Sequence, residues 1–399
     1  MDKKDPFTHN PPFPKQFAAD VLTFDRGEGV YLIDIAGNRY LDFGAGIAVN
    51  ALGYGNEEIA RLVYDQMKKL VHISNLFTTE PAVELAIKLT ATGNFEAVHL
   101  GSSGTEANEA AIKYARLYAY RKRGPGHAKL LCFADAFHGR TLGALSVTPN
   151  AHYQEPFQPL LEGVTVLPFN AAAALERTLS AEFAGVIVEV IQGEGGLRVM
   201  TSEFARALNQ SCAKHDVILI ADEVQTGLGR TGYPYASGLV GLQPDIITLA
   251  KPLGGGLPLS ATLIPAKVNQ LIRSGEHGTT FGGWPVTTAV ASRILDRVLD
   301  PAFLEGVRSK AAVLDEGLKG LATRFSFIQD LRGAGMLRGI AVDEKRAGTT
   351  AELITKAREA GLIILRSGAN VLRIAPPLVI EKEEIAKGLS LIEQMFARI

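Results

Sequence analysis

The feature that most constrains the fold is a repeated change of hydrophobic period between about residues 56 and 285. Short apolar runs alternate there with helix-period segments. AVHLG, KLLCFADAF, VTVLPF, GVIVEVI, VILIADE and DIITLAK read as short buried strands. EPAVELAIKLT, TEANEAAIKYARLYAYRKR and a stretch near 202–214 read as helices, with Pro81 suited to a first helical turn. Apolar strands separated by helices imply an α/β fold, a mostly parallel sheet covered by helices on both faces.

The flanks have a different character. Residues 1–20 are proline-rich and read as irregular, and VYLIDIAGNRYLDF reads as a hairpin around a Gly-Asn turn. From about residue 286 a long helix leads into FSFIQDLRGAGMLRGIAV and then IILRSGANVLRIAPPLVI, which read as antiparallel strands packed on helices. A chain of 399 residues exceeds one ordinary core. The expected division is an N-terminal segment 1–55 joining a small α+β domain, a large domain 56–285 and the rest of the small domain in 286–399.

Composition narrows the partners. The formal net charge is −1 with no block of like charge, which argues against nucleic acid and anionic membranes. No apolar run approaches the ~20 residues a membrane span needs. The N-terminus has no apolar region of the signal-peptide type. Two cysteines, Cys132 and Cys212, exclude a disulfide framework and favour a reducing, cytoplasmic setting.

Several residues carry chemistry. Lys251 ends an apolar strand and precedes Pro252 and three glycines, 254–256. The carboxyl edge of a parallel sheet is where such folds bind ligands. Desolvation at that edge lowers an amine's pKa, as Schiff-base chemistry needs. Asp222 ends VILIAD, 29 residues earlier, one strand–connection–strand step. A buried carboxylate needs a partner, and a protonated pyridine nitrogen is one. Gln225 stands within reach of a ring oxygen. The turn 101–104 feeds a helix starting near Thr105, whose free N–H groups and dipole suit a phosphate. In DAFHGRT, Phe137 can stack on a ring and Arg140 can pair with a carboxylate. Arg373 sits in the otherwise apolar LRIAPPLVI and needs an acceptor, for which Glu194 in IQGEGG is available. Each has a plainer reading: a surface lysine before a turn, a turn-capping aspartate, a helix cap, a solvated arginine. His138 and His277 read as core or loop histidines rather than bases. GLGRTG at 227–232 matches GxGxxG, but the YPYASGLVG that follows has no helical period, against a dinucleotide loop.

Taken together these segments resemble the class III aminotransferases of fold type I. GTEANEAA, FHGRT, QGEGG, DEVQTGLGRTG, the Lys251 segment, HGTTFGG and LRIAPPLVI follow one another in family order, and the resemblance runs from about residue 15 to the C-terminus. It implies pyridoxal 5'-phosphate as cofactor, bound covalently by Lys251, with Asp222 on the pyridine nitrogen and Gln225 on the ring hydroxyl. Phe137 stacks on the ring, and Gly104 and Thr105 hold the phosphate. Thr280 reaches that phosphate from a neighbouring subunit, implying a homodimer with shared sites. Arg140 binds a substrate carboxylate, and Thr279 lies near the donor. Arg373 takes the α-carboxylate of 2-oxoglutarate or glutamate and pairs with Glu194 when the donor is bound.

The sequence departs from the family pattern at Ser102, Val190, Tyr54 and Trp284, where asparagine, proline, histidine and asparagine are usual. Ile47 stands where ornithine-specific members carry a tyrosine, which suits a donor with a masked α-amine. The resemblance thus implies transfer of the ω-amine of N2-acetyl-L-ornithine to 2-oxoglutarate in arginine biosynthesis. N-succinyl-diaminopimelate is the natural second substrate, and ornithine and 4-aminobutyrate are the competing donors. No metal ligand set is apparent.

Overall fold

The computed structural model describes residues 22–399, so the proline-rich N-terminal stretch lies outside the described residues. The largest layer is a seven-stranded sheet. Its order is Ala97–Gly101, Ser260–Ile264, Ile246–Leu249, Ile218–Asp222, Phe183–Glu189, Lys129–Phe133, Val164–Leu167. Six strands run parallel, and Ser260–Ile264 runs antiparallel to both neighbours. The expected α/β architecture is present. The reversed strand was not anticipated, because SATLI mixes hydroxyl side chains into a five-residue run. Its Thr262 hydroxyl is satisfied by the Ala107 carbonyl at 2.9 Å.

Phe183–Glu189 and Ile218–Asp222 are buried at every residue, as strands covered on both faces must be. The helix Gly104–Arg123 covers one face through Ala107, Ala111, Tyr114, Ala115 and Tyr118, an i, i+4, i+7 stripe of mostly small side chains. The small residues allow close approach: a Cβ on Gly185 would stand 3.0 Å from that of Ala115.

Two smaller sheets lie outside this layer. One is antiparallel, in the order Ile328–Ala334, Leu337–Val342, Val371–Ile374, Leu365–Ser367. The other joins Phe24–Glu28, Tyr31–Asp34 and Arg39–Asp42 to Leu362–Ile363, which pairs parallel with the last of them. Val30, Leu41 and Phe43 share one apolar cluster with Leu314, Leu318 and Ile385. The hairpin read from the sequence is therefore the middle of a larger sheet closed by a strand more than 300 residues away. After the helix Pro285–Val298 a second one, Pro301–Arg324, opens on the side chain of Asp300, which accepts the Phe303 N–H at 2.8 Å. Among the described residues no helix is long and apolar enough to cross a membrane.

The parallel strands position the chemistry. Glu189, Asp222 and Thr248 lie side by side in register across three neighbouring strands.

Candidate active site

A cavity of about 410 Å³ opens at this strand edge. Asp222, Lys251, Gly104, Thr105, Phe137, Gln225, Arg140 and Glu194 all line it. These eight residues span 148 positions of sequence, and the sheet edge brings them together.

At its inner end Asp222 is 5% exposed and fully engaged. Its Oδ2 accepts from Asn108 Nδ2 and bonds His138 Nδ1, both at 2.8 Å, and its Oδ1 accepts the Val224 N–H at 3.1 Å. Asn108 also donates to the His138 carbonyl at 2.7 Å and accepts from the Thr248 hydroxyl at 2.8 Å. A buried carboxylate is tolerable only with such partners. His138 is thus a buried loop histidine that holds Asp222, a link the sequence did not disclose. Beside it Glu189 accepts the Phe137 and Gly193 N–H groups, each at 2.9 Å. Burial pushes its carboxyl up to about 7, opposed by His138 and reinforced by Asp222.

Lys251 follows the strand Ile246–Leu249 and opens a 3-10 turn with Pro252 in its first positions. Its strand pairs directly with that of Asp222, so the expected adjacency of strand ends is present. Burial pushes the ammonium down to about 8, opposed by Glu194 and reinforced by Arg373. An amine whose pKa is lowered towards physiological pH is neutral more often than an ordinary lysine, and in that form it is a nucleophile and a proton carrier.

The helix starts at Gly104, within a residue of the start expected near Thr105, and its cap is Ser103. Its hydroxyl accepts the Glu106 N–H at 3.4 Å and donates to the Glu106 carboxylate at 2.9 Å. Gly104 and Thr105 are the first two helical residues, and their N–H groups have no intrahelical acceptor. Gly104 is required here, since a Cβ would stand 2.7 Å from Val224 Cγ1. The Thr105 hydroxyl bonds that of Thr141 at 2.8 Å.

Towards the mouth the supports change. Arg140 is exposed, with its guanidinium 3.6 Å from the centre of the Tyr153 ring and 5.5 Å from that of Phe137. Arg373 is 4% exposed, donates to the Gly193 carbonyl at 3.0 Å and forms an ion pair with Glu194. Arg373, Thr279, Thr280 and Ile47 do not line the cavity of their own chain, though Arg373 pairs with Glu194, which does. The carbonyls of Thr279 and Thr280 are bonded by Asn75 and His72. Ile47 is exposed on the turn Ala45–Ala48. Tyr54, one of the departures, donates to Asp42 at 2.6 Å and does not line the cavity.

His277 stacks on His99 at 4.6 Å and bonds Lys113, outside this cavity. The segment 227–232 forms a loop whose Arg230 is buried and donates to the carbonyls of Met336 and Pro376. No helix opens at Gly232, and the next one is the four-residue Ser237–Val240. The segment lacks the dinucleotide-binding geometry.

Sequence reasoning missed Asn108, Thr248, Glu189 and Tyr153. Two of them left signals: Thr248 interrupts the apolar run IITL, and Asn108 sits on the helix's buried face among alanines.

The donor set fits a phosphorylated pyridine aldehyde. A depressed amine, a buried carboxylate and two free helix N–H groups face one space. The buried Oε1 of Gln225 has no partner there. An amide can present either its oxygen or its N–H to an incoming oxygen.

Comparison with known proteins identifies the class. The family model for class-III aminotransferases matches residues 15–396, and the chain belongs to that family. It is an aminotransferase, moving an amino group between an amino donor and a keto acid. Among relatives, the acetylornithine aminotransferase of Vibrio parahaemolyticus is 41% identical over 374 residues, covering 94% of this chain and 93% of its own. Two solved structures are similar over nearly all of the chain. The N-acetylornithine aminotransferase of Stenotrophomonas maltophilia has a TM-score of 0.84 and 32% identity, with 97% of each chain covered. The ornithine aminotransferase of Toxoplasma gondii, whose active site holds pyridoxal phosphate at partial occupancy, has a TM-score of 0.91 and 30% identity, with 97% and 92% covered.

Proposed function

We propose that the cavity binds pyridoxal 5'-phosphate and that the protein transfers the ω-amine of N2-acetyl-L-ornithine to 2-oxoglutarate. The products are N-acetyl-L-glutamate 5-semialdehyde and L-glutamate, which would serve arginine biosynthesis. One observation carries the chemistry: Lys251 and Asp222 end paired strands and line one cavity with a free helix N-terminus. The donor assignment is supported by the 41% identity to an acetylornithine aminotransferase.

When bound, the cofactor supplies an electron sink for the carbanion formed at the substrate carbon that bears the amine. The chain's residues do the rest. Lys251 holds the cofactor, and its neutral amine moves the proton at that carbon. Asp222, fixed by Asn108 and His138, keeps the pyridine nitrogen protonated. Gly104 and Thr105 hold the phosphate, Phe137 covers the ring and Gln225 bonds the ring oxygen. Arg140 receives a substrate carboxylate. Arg373 receives the α-carboxylate of 2-oxoglutarate or glutamate, and Glu194 neutralises Arg373 while the ω-amine donor reacts.

A homodimer with shared sites accounts for the residues outside the cavity. Leu76, Phe77, Val83, Ile87 and Phe281 are exposed apolar side chains on the two segments around 72–87 and 279–283. Those segments bond each other through Asn75, His72, Thr279 and Thr280. Association would cover this face and carry Thr280 to the phosphate, and Thr279 and Ile47 to the donor, in a second copy. The two buried unpaired thiols, Cys132 and Cys212, fit a reducing cytoplasm.

The test is a donor panel with 2-oxoglutarate as acceptor. N2-acetylornithine is expected to give the highest kcat/KM. A higher value for ornithine or 4-aminobutyrate overturns the donor assignment and leaves the aminotransferase chemistry standing.

A further inference from the structure

Glu194 rides on a loop that is tied down on both sides. The Gly193 N–H donates to Glu189 at 2.9 Å, and the Gly193 carbonyl accepts from the Ser367 hydroxyl at 2.8 Å and from Arg373 at 3.0 Å. The Glu194 carbonyl accepts the Gly368 N–H at 2.8 Å. The Gly196 N–H donates to Ser367 Oγ at 2.9 Å, and the Gly196 carbonyl accepts from Arg332 at 3.2 Å. One hydroxyl, on a residue 1% exposed, therefore spans Glu194 from the residue before it to the second residue after it.

Close contacts limit a shift of the loop as a body. A Cβ on Gly195 would lie 2.3 Å from the Asp135 carbonyl oxygen, and one on Gly193 2.4 Å from the Gln225 side-chain Oε1. The Glu194 side chain keeps 34% exposure, so it has room that its backbone lacks.

We propose that Ser367 is a positioning residue that fixes the Glu194 backbone, so that Arg373 is covered and uncovered by rotation of one side chain on a rigid mount. This rests on the reading of Glu194 and Arg373 given above. With the mount fixed, Glu194 returns to Arg373 after each α-carboxylate leaves, and the site is neutral there when the ω-amine donor arrives. With the mount loosened, Glu194 drifts and Arg373 stays open. The site then favours substrates that bring an α-carboxylate to Arg373 over those that bring an ω-amine to Lys251.

The experiment follows the two half-reactions of purified holoenzyme separately, by cofactor absorbance, with N2-acetylornithine and with L-glutamate. The quantity read is the ratio of their kcat/KM values. Ser367→Ala removes both bonds without adding bulk. It is expected to lower the acetylornithine-to-glutamate ratio at least about fivefold, in line with the loss of one or two buried hydrogen bonds. The change should fall mainly on the KM for acetylornithine. Arg332→Gln, which releases the Gly196 carbonyl, should move the ratio the same way by less. An equal fall in both half-reactions, or an unchanged ratio, overturns the proposal. Glu194→Gln separates the two ideas. If it shifts the ratio and Ser367→Ala does not, the fixed mount alone is wrong. If it leaves the ratio unchanged, the Glu194–Arg373 reading falls and the proposal with it.

Discussion

At the inner end of the cavity Asp222 and Glu189 sit on strand ends and Asn108 on the first turns of a helix, and Asp222 has three partners drawn from its own chain. At the outer end Arg140 and Glu194 sit on loops and Arg373 on the strand Val371–Ile374. Arg140 leans on an aromatic ring, Arg373 pairs with Glu194, and Thr279, Thr280 and Ile47 do not line the cavity of their own chain. The inner end is rigid because a buried charge is affordable only when its partners are preorganised. At the outer end Arg140 is exposed and the Glu194 side chain keeps 34% exposure, while Arg373 is buried against it.

That contrast can be broken by experiment, with the largest effects expected at the inner end. Lys251→Ala should lower steady-state transamination by about 10⁴-fold, because nucleophile and proton carrier are lost together. Variant protein that turns over within tenfold of wild type would remove Lys251 from the reaction. Asp222→Asn keeps the shape and removes the charge, and kcat should fall by ~10²–10³-fold with donor and acceptor alike. A loss confined to one substrate would place Asp222 with the selective outer groups and erase the contrast.

A pH test is smaller and signed. The pKa of Lys251 is depressed, so the amine of the apoprotein is neutral above about 8 and protonated below it. Capture of added pyridoxal phosphate, read by absorbance, should therefore rise with pH and level off near 8, falling about tenfold per unit below that. A rate still climbing tenfold per unit at pH 9.5 would show an ordinary surface lysine. The smallest effect belongs to the outer end. Tyr153→Leu removes the ring under Arg140, a contact worth ~0.5–1 kcal/mol at an exposed site. The KM of the substrate held by Arg140 should rise about two- to fivefold with kcat unchanged, and a change in kcat would tie Tyr153 to the inner end.

The sequence showed the same division. Lys251 and Asp222 were legible because each closes a short apolar run, and consecutive parallel strands lay such ends side by side. The network behind Asp222 was not, because Asn108 and His138 lie 114 and 84 residues from it and are joined only by tertiary packing. Ser260–Ile264 went unread because two hydroxyl residues broke its apolar pattern, although both are buried. Ile47, Thr279 and Thr280 carry no local signal of their position, and on the homodimer proposed above a second copy of the chain sets it.

The pairing of Arg39–Asp42 with Leu362–Ile363 has a consequence for how the chain is made. The seven-stranded sheet draws its strands from residues 97–264 alone. The N-terminal strands cannot finish until their partner emerges some 320 residues later, and until then Val30, Leu41 and Phe43 have no Ile385 to pack against. Long loop closure of this kind is slow and leaves apolar surface open. Among the described residues, the strands nearest the N-terminus thus complete their sheet only with a segment near the C-terminus.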